Sequence, residues 1–354
     1  MDAKIEDGSN PFRFIKFTKT KWIIAGNIMI KNIFNILVCP ICKSKLKKIN
    51  DKKIKCIGDC GTPFKLKDNI PILLPEDLPK FKKLEAEYHD NEAHHYGEIN
   101  MINSYHVNYY HQKYLNLIDN LMNDSIVLEV GSGDGNDANH LKKSNLTFIQ
   151  SDISFQMVKL AKNTNESKSL MNSIYVVSDA EMIPCKENSL DAVMIVAALH
   201  HLPSPIQFFK EAHRVLKPDG MLIIGFEPNR WPYYIIYPFI RLLKRIVRLD
   251  RYVKSKHSDV SIGDTETLGF TFSDLRLFLS ESKMELVRLD RIWFILGFTH
   301  TVLSIINSKL PQDKSLDLPV RLQKIIIFID ELILSIPIIR NFCWHWTLVA
   351  KKNN

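Results

Sequence analysis

Two pairs of cysteines carry the plainest chemistry in this sequence. Cys39 and Cys42 form C-x2-C, and Cys56 and Cys60 form C-x3-C thirteen residues further on. Each pair lets two thiolates reach one ion from a tight turn, and two such turns complete a tetrahedral zinc site. Four thiolates leave no open position for substrate, so the expected Zn2+ is structural. It would hold together a segment with few apolar residues of its own. The second feature is the run Val127 to Gly135, VLEVGSGDG, in which a strand gives way to a glycine loop. The dinucleotide fingerprint G-x-G-x-x-G sets a helix N-terminus against a pyrophosphate. Here Gly135 comes one residue early, and Glu129 ends the strand. An acid facing a pyrophosphate is electrostatically costly, while one facing an amino group is favourable. S-adenosylmethionine offers that amino group and no phosphate. Asp152 ends the next strand, placed to accept hydrogen bonds from two ribose hydroxyls, which suits NAD equally. His200 and His201 follow the fourth strand. Either could serve as a general base near neutral pH, or cap the next helix, or line a pocket. Glu227 ends the fifth strand and faces the same region by topology, a candidate for orienting an acceptor.

The elements that must position these residues alternate in type from Ser125 on. IVLEV, LTFIQSD, SIYVVSDA and GMLIIGFEP read as strands, with helices near Asn136–Lys143, from Ser154 and over SPIQFFKEAHRVL. LDAVMIVAAL is an uninterrupted apolar run, the mark of a central parallel strand buried on both faces. The pattern predicts a doubly wound α/β sheet with ligands held at the carboxyl ends of its strands. Ahead of it, residues 75–87 carry two prolines and many charges and mark a boundary. Val107, Tyr110, Tyr114, Leu117, Ile118 and Leu121 recur at helical spacing between Ser104 and Met122. That helix, with His89, His94, His95, His106 and His111 around it, is expected to form a lid lining a pocket mouth.

Five motifs, VLEVGSGDG, SDIS, SDAEMIPCKENSLDAV, ALHHL and EAHRVLKPDGMLII, follow one another over residues 125–227. In this order they resemble the class I S-adenosylmethionine-dependent methyltransferases, in particular the group similar to the ubiquinone and menaquinone methyltransferases. The resemblance implies a seven-stranded sheet in the order 3-2-1-4-5-7-6, the last strand antiparallel, and S-adenosylmethionine as cofactor. It further implies that Glu129, Gly131 and Gly133 shape the methionine end and that Asp152 holds the ribose. Ile153 would pack on the adenine, Asp179 would accept its amino group, and Ala180 would contribute backbone. Asp191 is expected to support its strand. The absence of an N/D-P-P-Y/F motif after the fourth strand argues against adenine or glutamine-amide methylation. LVCPIC, the second cysteine pair, Phe64 and IPILL resemble the zinc ribbon that serves as the small activating partner of certain tRNA and protein methyltransferases. That ribbon also occurs fused ahead of bacterial methyltransferase domains.

The chain of 354 residues carries a net charge of +8, with 45% hydrophobic and 24% charged residues, which excludes extensive disorder. Residues 1–83 hold 18 Lys+Arg against 8 Asp+Glu, and the remainder is near neutral. Six cysteines, four of them clustered, fit metal binding in a reducing compartment better than a disulfide framework. The opening MDAKIEDGSN is acidic and polar, so a cleavable leader is not expected. The sequence divides into an extension (1–36), the zinc ribbon (37–75), linker and lid (76–123) and the catalytic domain (124–354). Apolar insertions interrupt the last at 229–271 and 295–342. Over residues 231–256, Arg241, Lys244, Arg245, Arg248 and Arg251 share one helical arc, a pattern of membrane surfaces. Ile292–Ser308 is uncharged but broken by Gly297, His300 and Asn307, a poor span. The insertions are expected to roof a small-molecule, lipid or lipid-linked acceptor, to rest on a membrane, or to cap the core or a dimer. The expected location is cytoplasmic, with peripheral contact at the inner membrane surface. RNA methylation through the basic ribbon and a non-catalytic cofactor-binding scaffold are the competing readings.

Overall fold

The computed structural model describes residues 33–93, 104–142, 145–167, 173–235, 261, 263, 267–307, 310 and 316–353. His94 and His95 of the expected lid, the basic stretch from Arg241 to Arg251 and residues 1–32 lie outside them.

One mixed sheet organises the chain. Its strands are β1 (Leu46–Asn50), β2 (Lys53–Cys56), β3 (Pro63–Lys67), β4 (Ile70–Leu73), β5 (Ile126–Val130), β6 (Thr147–Asp152), β7 (Ser173–Ser178), β8 (Leu190–Val196), β9 (Leu216–Pro228), β10 (Met284–Ile292) and β11 (His345–Lys352). They lie in the order β1-β2-β3-β4-β7-β6-β5-β8-β9-β11-β10. The last seven reproduce the pattern 3-2-1-4-5-7-6, with β11 antiparallel to both its neighbours. The expected sheet of seven is thus part of a sheet of eleven. The cysteine-bearing hairpins extend it, because β4 pairs parallel with β7, Ile72 opposite Val177 and Leu73 opposite Ser178.

Alternation along the central strands sorts the core onto two faces. Leu128, Val130, Val193, Ile195, Leu222 and Ile224 point to one side. There they meet Phe208, Phe209 and Ala212 of α4 (Pro205–Val215) and Leu275 and Leu279 of α5 (Phe272–Glu281). The same cluster takes in Leu37, Cys39, Ile54, Phe64 and Leu73, so the ribbon and the α/β sheet share one core. Val127, Phe148, Met194 and Ile223 point to the other side. That face is covered by α2 (Tyr105–Asp119), α6 (Ile295–Asn307) and α7 (Val320–Ser335). Helix α3 (Phe155–Ser167) lies over β6 and β7.

Two local expectations change. The helix expected over Asn136–Lys143 is a single 3-10 turn, Asp137–His140. Asp137 is pulled onto α2, where its carboxylate accepts from the Tyr114 hydroxyl (2.9 Å) and meets His111 Nδ1 (2.7 Å). The charged stretch expected to be a linker contains helix α1 (Lys80–Glu92), entered through Pro79. Its residues Lys82, Glu85 and His89 share one face at i, i+3 and i+7.

Candidate active site

A pocket enclosing about 920 Å3, open solvent at its mouth included, lies over the carboxyl ends of β5 to β8. That is the switch point where doubly wound sheets bind ligands. Val130, Gly131 and Gly133 line it from β5, Asp152 and Ile153 from β6, and Ser178, Asp179 and Ala180 from β7. Ile195 and Val196 line it from the end of β8, Ala197, Ala198 and His201 to Pro203 from the turn after it, and Phe81, Lys82, Glu85 and His89 of α1 close it from above.

The glycine loop has a steric reason at Gly131. Its φ is +65°, and a Cβ there would stand 2.7 Å from the Ala198 Cβ. A side chain at this position would push the loop off the strand ends. Asp152 then fixes the loop: Oδ2 accepts from the Gly133 N–H (3.1 Å) and Oδ1 from the Ser154 N–H (2.9 Å). Burial pushes the Asp152 carboxyl up, against His89 and these two N–H groups, which pull it down.

Of the residues singled out from sequence, Gly131, Gly133, Asp152, Ile153, Asp179, Ala180 and His201 share this pocket. Glu129, His200 and Glu227 do not line it. Glu129 turns toward α2 and receives the Gln150 Nε2 donor at 3.3 Å. Burial first, and the neighbouring Asp137 second, push its carboxyl well above the usual range. Glu227 is fully buried. Its oxygens accept from the Leu199 N–H (2.7 Å) and the His200 N–H (3.2 Å), and Oε2 meets His200 Nδ1 at 3.1 Å. The pair Glu227–His200 therefore builds the turn that presents His201. Asp191 supports its strand, accepting from the Ile126 N–H at 2.8 Å.

The side chains of α1 had no signal in the sequence beyond their helical spacing. Lys82 Nζ donates to Asp179 Oδ2 and Glu181 Oε2, both at 2.6 Å and all buried. Glu85 Oε2 lies 3.2 Å from His201 Nδ1 and 3.5 Å from His89 Nε2, and Glu85 Oε1 accepts from the Gly263 N–H at 2.7 Å. Burial pushes Glu85 up, but the two histidines and the Gly263 N–H outweigh it and hold the carboxyl well below the carboxylate range. Burial pulls His89 down, but its hydrogen bonds to Glu85 and Glu92 outweigh that and raise it to about 10. The latch is an anion clasped between imidazoles. Asp90 adds to it, accepting from the Ser154 hydroxyl and the Gln156 N–H (2.9 Å) at the start of α3.

Residues fit the cofactor the sequence pointed to. Two carboxylates, Asp152 and Asp179, end adjacent strands over one pocket whose floor is kept clear by Gly131. Lys82 Nζ holds one Asp179 oxygen and the Glu181 N–H the other, and each oxygen keeps a second lone pair with which to accept.

The four cysteine sulfurs form a second site. Cys39–Cys60, Cys42–Cys56 and Cys42–Cys60 stand 3.6, 3.4 and 3.2 Å apart. Sulfurs placed about 2.3 Å from one tetrahedral ion lie about 3.8 Å from each other, while a disulfide needs about 2.05 Å. The spacing fits a metal. Donors are arranged for thiolates at the outer pair: the Ser44 hydroxyl and N–H bring Cys42 down to about 6, and Thr62 lowers Cys60. Burial raises Cys39, to about 12, and Cys56. Lys43, within the first turn, docks the ribbon on α4 through Glu211 Oε2 at 2.8 Å.

Residues 128–224 match the family model described as a methyltransferase domain. Over 107 residues the chain is 35% identical to the ubiquinone/menaquinone biosynthesis C-methyltransferase UbiE of Rickettsia prowazekii (strain Madrid E), covering 28% of this chain and 43% of the relative. Over 105 residues it is 35% identical to the malonyl-[acyl-carrier protein] O-methyltransferase of Marinomonas sp. (strain MWYL1), covering 28% and 37%. Over 102 residues it is 32% identical to the arginine-hydroxylase NDUFAF5 of Homo sapiens, covering 28% of each. The chain spans less than half the length of each of these relatives. Fold, glycine loop and match define a domain of the methyltransferase class over 128–224.

Proposed function

We propose that the chain is an S-adenosylmethionine-dependent methyltransferase acting on a small-molecule, lipid or lipid-linked acceptor. The observation that carries this reading is the convergence of the glycine loop, Asp152 and Asp179–Ala180 on one pocket, with His201 at its edge. When bound, the cofactor supplies a methyl group already activated by its sulfonium, so the protein has chiefly to align an acceptor and exclude water. Asp152 would hold the ribose, Ile153 would pack on the adenine and Asp179 would take its amino group beside the Lys82 ammonium. Helix α1 closes over the pocket and shields it. Glu85 and the Ser261 hydroxyl (3.1 Å) engage His201 at Nδ1, which favours the tautomer with Nε2 as the basic nitrogen. His201 would then take a proton from a hydroxyl or amine acceptor, with Glu227 and His200 as positioning residues. The four cysteines would hold a structural Zn2+.

RNA is the second reading, favoured by one observation. Lys45, Lys47, Lys52, Lys53, Lys55, Lys65 and Lys67 are all exposed on the ribbon hairpins. Such a face binds phosphates with steep salt dependence. The test is transfer of label from methyl-labelled S-adenosylmethionine into separate small-molecule, lipid, RNA and protein fractions of a host extract. Label in the lipid or small-molecule fraction is expected. Label in RNA alone would replace the first reading with the second, and cofactor binding without any transfer would leave a scaffold. That last outcome matters because one of the relatives is named a hydroxylase.

A further inference from the structure

Helix α7 is apolar on two opposite faces. Gln323, Ile326, Ile327, Asp330 and Leu334 are buried against the rest of the protein. Leu322, Ile325, Phe328, Ile329 and Leu332 are exposed, Phe328 to 63% and Ile325 to 56%. At 100° per residue these five fall within an arc of about 120° on the far side. Helix α6 packs beside α7 and adds exposed Phe298, Val302 and Ile306, an i, i+4, i+8 stripe. The two helices are locked together, because Asp330 accepts from the N–H groups of Phe294 (2.9 Å), Ile295 (2.7 Å) and Leu296 (3.1 Å) at the start of α6. Buried Trp344 lies between this patch and a second one, its ring meeting Phe298 at 5.5 Å and Tyr233 at 5.8 Å, and beside Tyr233 in sequence Trp231, Tyr234 and Ile235 are exposed. Core packing accounts for only one face of α7. Exposed Arg321 shares the arc at the first turn of α7, and the rest of that face is apolar, which marks an interaction site.

We propose that this face lies on an anionic phospholipid bilayer. Among the described residues no helix is long and apolar enough to cross a membrane, so the contact is in the plane of the interface. Aromatic side chains at the edge, Trp231 and Tyr234, suit the headgroup level. Charge selects the partner. The chain leaving Ile235 carries five bases, Arg241, Lys244, Arg245, Arg248 and Arg251, against one acid, Asp250. A stretch of this charge is drawn to anionic headgroups. The inference deepens the lipid side of the proposed function. It stands on the surface alone, so it and the transfer chemistry fail separately.

The test is flotation of the purified full chain, free of detergent, with two kinds of vesicle: phosphatidylcholine alone, and phosphatidylcholine with phosphatidylglycerol in equal parts. The chain is expected to float with the anionic vesicles and not with the neutral ones. The double substitution Ile325→Asn with Phe328→Asn should cut the floated fraction about tenfold or more. Its melting midpoint and its affinity for adenosylhomocysteine should stay unchanged, since both side chains are exposed and neither lines the pocket. Absence of flotation, or undiminished flotation of the double variant, overturns the proposal. So does a dimer in sedimentation that the double variant dissociates without any vesicle binding.

Discussion

Asp152 and Glu227 are both buried carboxylates near the pocket, yet their partners give them different work. Asp152 lines the pocket and spends its oxygens on the Gly133 and Ser154 N–H groups. Asp152→Asn turns an amide NH2 toward one of those donors, so the loop should lose order. Adenosylhomocysteine binding, read by calorimetry, should weaken about tenfold or more, since a hydrogen bond to a charged group contributes about 1.5–3 kcal/mol. Unchanged affinity would show that the ribose is held elsewhere. Glu227 lies off the pocket and satisfies two buried N–H groups and a histidine. Glu227→Ala leaves those donors unpaired and should cost roughly 2–4 kcal/mol of stability. If Glu227 instead touched the acceptor directly, activity would fall with the melting curve unmoved.

Helix α1 makes contacts that depend on pH. His89 stands near 10 in the folded protein, above an unfolded value of about 6.5. Its contribution is therefore fully present below about pH 6.5 and is lost as pH rises through 10. Glu85 is shifted the other way, so its contribution is present above the ordinary carboxylate range and lost only in strong acid. Across neutral pH both halves of the latch are charged. The melting difference between the wild type and His89→Ala should be largest below about pH 6.5, fall continuously as pH rises from there, and shrink toward zero above pH 10. A difference that stays constant through that rise would mean His89 acts by packing alone. The helix itself was only partly legible. Prolines and charges around it read as a linker, because α1 has polar residues even on its inner face, where Lys82 and Glu85 are buried by pairing with groups far along the chain.

At the scale of the whole molecule, ribbon and catalytic sheet are one structure, joined by the β4–β7 pair and a shared core. Metal binding in the ribbon should then report on the entire fold. The chain should contain about one Zn2+, and Cys60→Ser should remove it and lower a single cooperative thermal transition. Cys185→Ser, at a buried thiol outside the cluster, should leave the metal content unchanged. Two separate transitions, with only the smaller responding to a chelator, would show that the ribbon folds as an independent module.

What the sequence determined by itself was whatever spacing along the chain encodes. Two cysteine pairs specify four sulfurs brought within reach of one another. The glycine loop, Asp152 and Asp179–Ala180 end consecutive strands, and the apolar runs between them fix which strands are central. Adjacent strands bring such residues together without further information. The tertiary structure alone decided how residues far apart in sequence meet. Lys82 reaches Asp179, Glu85 reaches His201 and Glu227 turns away to cap the turn before His201. It also decided which of two apolar faces of α7 is buried. Side-chain pairing and burial depend on where helices dock, and docking is settled by packing across the whole core rather than by any local pattern.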